Sequence, residues 1–259
     1  MRTIDINSDL GESFGNWRMG DDEAVIPEIT SANVACGFHA SDPVTMIRTV
    51  ALCKQHGVEV GSHPGLPDLL GFGRRPIRIT PDDCYAYVLY QTGALQAVLA
   101  AEGMTLHHLK PHGAFYSILR EDEPLAAAFC EAALALMREP VVYWPEGPEL
   151  ALPRAARERG IRVVMEVYVD MDYAPDGSIV IQRAKHATDV EKAAAQIRRF
   201  LAEGVVLATD GSLIPLQAES ICVHGDGPNA LEVIQALRRT ISDCGHSVAP
   251  LAAGATSAR

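Results

Sequence analysis

Asp5, Asn7 and Asp9 occupy alternate positions in the stretch Thr3-Ile-Asp-Ile-Asn-Ser-Asp-Leu-Gly-Glu12, with Ile4, Ile6 and Ser8 between them. Alternation with period two marks a strand, and it predicts that the three polar side chains share one face. Two carboxylates do not sit on a buried face unless they are neutral, paired or bound to a cation. Gly11 ends the strand and delivers Glu12 into a loop. The stretch reads as a pocket floor bearing several carboxylates.

Further reactive residues follow later apolar runs. His39 follows residues 29–36, His63-Pro64 follows 58–62, and Lys110-Pro-His112-Gly113 follows 106–109. Glu166 ends the run 162–165, with Asp170, Asp172 and Tyr173 close behind, and His224-Gly-Asp226 follows 220–223. Histidine beside carboxylate suits general acid–base chemistry. The same residue types suit a divalent metal, with Asp9, His39 and His63 as a three-ligand set, although no local HxxxH spacing accompanies them. Lys110 is placed to hold an anionic group or polarise a carbonyl, or else to form a structural ion pair. The loop 65–79 carries Gly71-Phe-Gly-Arg-Arg75, which reads either as a mobile lid gripping a carboxylate or as a surface loop with solvated charge.

The elements between these residues are helical. Asp42-Pro43 starts a helix that Gly57 ends, and Thr80-Pro81-Asp82-Asp83 starts one that Gly103 ends. Further helices are predicted over 121–138, from the Pro145-Glu146-Gly147 turn to Arg159, from the Thr188-x-x-Glu191 capping box to Gly204, and from Pro228 onward. Pro175-Asp-Gly177 reads as a hairpin turn. Strand–helix alternation without a linker argues for one α/β domain over 1–250, with a flexible tail over 251–259. In an open sheet only strands at the switch point bring their ends together, whereas a closed barrel gathers them all at one mouth. Polar residues follow every strand here, so the expected fold is an irregular single-domain (β/α) barrel of about seven strands. Asp9, His39, His63, Lys110, Glu166 and Asp226 should then line one pocket.

Composition narrows the partners. The chain has 259 residues and a formal net charge of −11, which disfavours nucleic acid. It has no run of eighteen apolar residues and no signal-peptide pattern, so the expected protein is cytoplasmic, with no membrane span. Six scattered cysteines without CxxC spacing predict reduced thiols. There is no Walker A motif. Gly225-x-Gly227-x-x-Ala230 follows a strand, but only 29 residues remain after it, too few for a dinucleotide fold.

Six motifs in order resemble the LamB/YcsF family. They are Asp5 to Glu12, Asn33-Val-Ala-Cys-Gly-Phe-His39 with Asp42-Pro43, His63-Pro64, Pro67-Asp68 with Gly71 to Arg75, Lys110-Pro-His-Gly-Ala114, and His224-Gly-Asp226. The resemblance implies a distorted barrel similar to glycoside hydrolase and polysaccharide deacetylase barrels. It also implies opening of the lactam 5-oxo-L-proline to L-glutamate with ATP hydrolysis, as the A subunit of a 5-oxoprolinase with companion subunits B and C. On these motifs and the strand-end pattern the catalytic candidates are Asp9, Glu12, His39, His63, Lys110, His112, Glu166 and Asp226. Asp9 or Glu12 would be the base on water, with His39 and His63 orienting water or substrate. Substrate-binding candidates are Asp5, Asn7, Asn33, Arg74, Tyr173 and His224. Met171 stands where the family pattern has arginine, which leaves the exact lactam open. A stand-alone metal-dependent deacetylase or amidohydrolase, and a non-catalytic substrate-presenting subunit, are the alternatives.

Overall fold

The structure, a computed structural model, describes residues 2–145, 149–180 and 186–252. In chain order the elements are β1 (Thr3–Leu10), α1 (Asp22–Val25), β2 (Ser31–Ala35), α2 (Pro43–His56), β3 (Glu59–His63), α3 (Pro81–Ala101), α4 (Gly113–Leu119), α5 (Glu123–Leu136), β4 (Val141–Pro145) and α6 (Ala151–Glu158). There follow β5 (Arg162–Tyr168), β6 (Asp172–Tyr173), β7 (Ile179–Val180), α7 (Val190–Glu203), β8 (Val205–Leu207), β9 (Leu213–Pro215), β10 (Ser220–Cys222), α8 (Ala230–Asp243) and β11 (Ser247–Val248).

The main sheet is parallel, in the order β3-β2-β1-β10-β5-β4, with β11 pairing the start of β1. Its two edges are joined by residues 107–110. The Ser62 amide donates to the His108 carbonyl and the Lys110 amide to the Ser62 carbonyl, each at 2.9 Å. On the other side the Leu109 amide donates to the Val141 carbonyl of β4 and accepts, at its own carbonyl, from the Tyr143 amide. The expected strand at 106–109 is therefore a short bridging segment. It closes a ring of seven, which is the predicted irregular barrel. Curling the sheet this way brings the carboxyl ends of its strands to a common mouth.

Period-two alternation does place Asp5, Asn7 and Asp9 on one face of β1, toward the barrel interior. Ile4 and Ile6 face outward into an apolar cluster with Val233, Ile234 and Leu237 of α8. The interior is polar and internally paired, unlike the aliphatic layers usual in such barrels. Asp5 accepts hydrogen bonds from the hydroxyls of Thr30, Ser31 and Ser220. Asn7 donates to Glu166 and Ser220 at 2.7 Å, and Asn33 donates to Asn7 and Asp9.

The helix signals at Asp42, Gly57 and Thr80 mark real ends: Asp42 accepts from the Val44 and Thr45 amides, Gly57 is left-handed, and Thr80 with Asp83 forms a capping box. Other expectations shift. Asp189, not Thr188, caps α7, and α8 begins at Ala230 with Asn229 as its cap. The helix expected over 121–138 is α5, and a further short helix, α4, begins directly after His112. The hairpin around Pro175 is β6–β7, and a second, β8–β9, precedes β10. The Glu146–Gly147 turn lies outside the described residues. So do residues 253–259 of the expected tail, whereas Leu251 and Ala252 are tied down by His107 and Arg162. No helix among the described residues is long and apolar enough to cross a membrane.

Candidate active site

The strand ends and the loops after them line a pocket. Its polar wall is Asp9, His63, Arg74, Lys110, His112 and His224, and its apolar wall includes Tyr116, Pro145, Tyr168, Met171 and Ile179. Few convergent polar groups in an otherwise apolar cleft is the usual composition of a small-molecule site.

Lys110 is the centre of the wall. Its ammonium donates to Asp9 Oδ1 at 3.0 Å, to Asn7 Oδ1 at 3.2 Å and to Cys222 Sγ at 3.0 Å, and lies 3.4 Å from Glu166 Oε1. It also stands 5.3 Å from the centre of the Tyr168 ring. Burial opposes charge on Lys110, but Asp9, Cys222 and Glu166 overcome it and hold the group well above the usual lysine range. Burial likewise opposes ionisation of Asp9. His63 and Lys110 reverse that and hold its carboxyl well below the usual range. The Glu166 carboxyl is pushed up by burial, only partly offset by Lys110, and it accepts from the Tyr168 hydroxyl at 3.1 Å.

A second group stands beside this one. Glu12 Oε1 lies 3.4 Å from His39 Nε2 and 3.8 Å from His112 Nδ1. Burial pushes the Glu12 carboxyl well up, and the charges of Asp9 and Asp226 add to it. Burial keeps His39 and His112 well below the usual histidine range. The rings of His39 and His112 stack at 3.7 Å, while His63 meets both edge-on. The Gly71-Phe-Gly-Arg-Arg75 loop packs over these rings. A Cβ on Gly73, at φ +62°, would meet His39 Cβ at 2.6 Å and His112 Cδ2 at 2.8 Å. Glycine is needed here for both conformation and clearance.

The loop arginines are engaged within the chain. Arg74 pairs with Asp226 at 2.8 Å, and Arg75 pairs with Asp68, which also accepts from the Gly71 amide. The 65–79 segment is thus held by its own ion pair and a short 3₁₀ turn.

Of the residues expected at the site, Asp9, His63, Lys110, His112, Arg74 and His224 line the pocket. Glu12, His39, Glu166 and Asp226 touch those residues from behind. Asn7 and Asn33 continue the polar network down the barrel. Two expected substrate contacts lie elsewhere. Asp5 is four residues before Asp9, about 13 Å lower at a strand's rise per residue, and sealed by hydroxyls. Tyr173 is buried in the main apolar cluster, its hydroxyl accepting from the Tyr168 amide. Cys222, Tyr168 and Asp170, which binds His224 Nδ1 at 2.9 Å, join the site without being among its candidates from sequence. Cysteine and tyrosine in a strand read as core, and only their adjacency to Glu166 and His224 marks them.

The clustered histidines and carboxylates also form groups that could hold a metal ion. Among the described residues these are Glu12, His39, His63 and His112, and separately Asp9, Cys222 and His224.

Comparison with known proteins places this geometry. The chain is 46% identical over 250 residues to the A subunit of 5-oxoprolinase from Symbiobacterium thermophilum, covering 96% of this chain and 95% of that one. Its structure superposes on the crystal structure of a lactam utilization protein from Thermus thermophilus with a TM-score of 0.88 at 40% identity, covering 96% and 100% of the two chains. The catalytic domain of a peptidoglycan N-acetylglucosamine deacetylase from Eubacterium rectale gives 0.50 at 8% identity, covering 98% and 90%, a likeness of fold alone. The sequence pattern of the LamB/YcsF family matches residues 4–256, so with relatives this similar over nearly the whole length, the chain belongs to the LamB/YcsF family.

Proposed function

We propose that this chain is the A subunit of an ATP-dependent 5-oxoprolinase, opening 5-oxo-L-proline to L-glutamate in the cytoplasm together with companion subunits B and C. The observation that carries the reading is the Lys110 ammonium, buried between Asp9 and Glu166 at the floor of a small-molecule pocket. Relatives named for 5-oxoprolinase and lactam utilization align over nearly the whole chain and support the substrate class.

A five-membered lactam is a resonance-stabilised amide with little ring strain. Transfer of a phosphoryl group from ATP to its oxygen makes the carbonyl carbon a better electrophile. Water then attacks the carbon and gives a proton to Asp9, the ring C–N bond breaks as the nitrogen takes up a proton, and a second water splits the resulting acyl phosphate into L-glutamate and inorganic phosphate. Lys110 is placed to stabilise charge on the oxygen, where a fixed cation in a closed site has the most effect. Arg74, on the pocket wall, supplies a fork for the substrate carboxylate. Glu12, whose raised pKa keeps its proton, is suited as an acid, and ionised Asp9 orients Lys110 and His63. A phosphorylated amide is reactive and is best made and hydrolysed without release to bulk water, which calls for a partner docked over the mouth during turnover.

The test is lactam-dependent ATP hydrolysis by the chain alone, and then with companion subunits. Coupled turnover of 5-oxo-L-proline only in the mixture is expected. Full coupled turnover by the single chain would exclude the division of labour, and turnover of other lactams but not this one would exclude the substrate.

A further inference from the structure

The pocket wall carries a set of lone pairs that calls for a cation. His63 Nδ1 lies 2.7 Å from the Lys110 carbonyl oxygen, and His112 Nε2 lies 2.8 Å from that of Phe72. A carbonyl only accepts, so both ring nitrogens carry the hydrogen. His224 Nδ1 donates to Asp170 Oδ2 at 2.9 Å in the same way. In the tautomers these bonds fix, each ring turns its other nitrogen inward, and these atoms converge. His63 Nε2 is 2.9 Å from His112 Nδ1 and 3.3 Å from Asp9 Oδ2, and His224 Nε2 is 3.6 Å from the same oxygen. The other oxygen of Asp9 is already taken by Asn33 and Lys110. One proton could join only two of the four electron-rich atoms, whereas a metal ion can take several.

We propose that Asp9 Oδ2, His63 Nε2 and His112 Nδ1 hold a divalent metal ion on the pocket wall. Ligand atoms each about 2.0–2.2 Å from such an ion stand about 3 Å apart when their bonds are near a right angle. The spacing around His63 Nε2 is of that size. The outward hydrogens of His63 and His112 match the way ligating imidazoles are oriented by carbonyl acceptors. Two imidazoles and one carboxylate select zinc, manganese(II) or iron(II) over calcium or magnesium, which take all-oxygen sites. Three protein ligands leave positions open toward the pocket.

This set puts His112 where the sequence suggested His39. The rings of His39 and His112 are stacked 5° from parallel, 3.7 Å apart. An ion in the plane of one lies well out of the plane of the other, so within the group Glu12, His39, His63 and His112 only one of the two stacked rings can ligate it. His39 Nε2 faces Glu12 instead.

The proposal deepens the reading of this pocket as a lactam site, yet it is tested without turnover. The full chain is stripped with a chelator and titrated with zinc and cobalt(II) by calorimetry, and bound metal is counted after gel filtration. One ion per chain is expected. His63→Ala and His112→Ala should each weaken uptake by more than about 100-fold, beyond what losing an orienting partner costs. His39→Phe should keep it. Melting curves separate a lost ligand from a lost fold. If an alanine variant does not fold, nitrogen NMR of the wild-type histidines decides: metal should shift His63 Nε2 and His112 Nδ1 and spare their hydrogen-bearing partners. No stoichiometric uptake with metal in excess, or uptake unchanged in a folded His63 or His112 variant, overturns the proposal. Metal bound by a chain that opens no lactam even with its companion subunits would refute the lactam reading and leave this one standing.

Discussion

The ammonium of Lys110 lies 3.0 Å from Asp9 Oδ1, with both side chains almost wholly shut off from water. The two are not equally replaceable. Lys110 keeps Glu166, Asn7 and Cys222 if Asp9 loses its charge, whereas without Lys110 the buried carboxyls of Asp9 and Glu166 both lose the cation they share. Asp9→Asn should therefore fold with little change in melting and lose about 10²–10³-fold or more in turnover, the scale of removing one electrostatic group from a closed site. Lys110→Met should lose turnover and also about 3–5 kcal/mol of stability, as when one partner of a buried pair is removed. Urea unfolding and coupled turnover check both. Near-normal turnover of a folded Asp9→Asn variant would remove Asp9 from the chemistry.

Asp42 ties the helix start to the loop after β1. Its carboxylate accepts from the Val44, Thr45 and Gly15 amides. The Thr45 amide, then that of Gly15, holds its pKa below the usual carboxylate range. A depressed folded pKa contributes stability above the unfolded value, and that contribution is lost as pH falls through the folded one. Asp42→Ala should cost about 1 kcal/mol near neutral pH, the usual worth of such a cap. The gap between variant and wild type should close as pH falls below about 4. A gap that widens on acidification would contradict the sign.

Much of this arrangement is legible in the sequence because a barrel mouth collects the residues just past each strand. His39, His63, Lys110, His224 and Glu12 all stand directly after apolar runs. The alternation of Asp5, Asn7 and Asp9 implies a shared face, but not how deep each lies, which depends on distance along β1 from the mouth. Asp5 and Tyr173 depart from expectation for that reason: proximity in sequence to the motif says nothing about which side of a sealed layer a residue occupies. Cys222 and Tyr168 are of types ordinary in cores, and only tertiary contact with Lys110 and Glu166 distinguishes them. The run 106–109 reads as a strand in the sequence, but not as the piece that joins the two sheet edges, because that joining rests on a few backbone bonds to Ser62, Val141 and Tyr143.

Arg74 faces the pocket from the loop while its guanidinium is paired with Asp226. If it grips the substrate carboxylate, its fork matters as well as its charge. Arg74→Lys should then raise KM for 5-oxo-L-proline by about tenfold, the scale of one charge-assisted contact, with a smaller change in kcat. A lactam lacking the carboxylate should be insensitive to the substitution. Equal effects on both substrates would assign Arg74 to holding Asp226 alone.

Gly73 and Gly103 separate conformation from clearance. Both have left-handed backbone, at φ +62° and +69°. A methyl group on Gly103 would meet nothing within 4 Å, whereas on Gly73 it would press on His39 and His112. Alanine at either position incurs the left-handed penalty, about 1–2 kcal/mol. Only at Gly73 must something else move, and there the neighbour is a stacked imidazole pair packed against His63. Gly103→Ala should lower the melting temperature and leave turnover intact. Gly73→Ala should lower both, because a shift of well under 1 Å in His112 spoils its alignment with His63, and misplacement of about 1 Å can cost 10²-fold. Turnover and thermal unfolding of the two variants side by side provide the check. Equal turnover in both would show that the loop over the histidines yields without moving them.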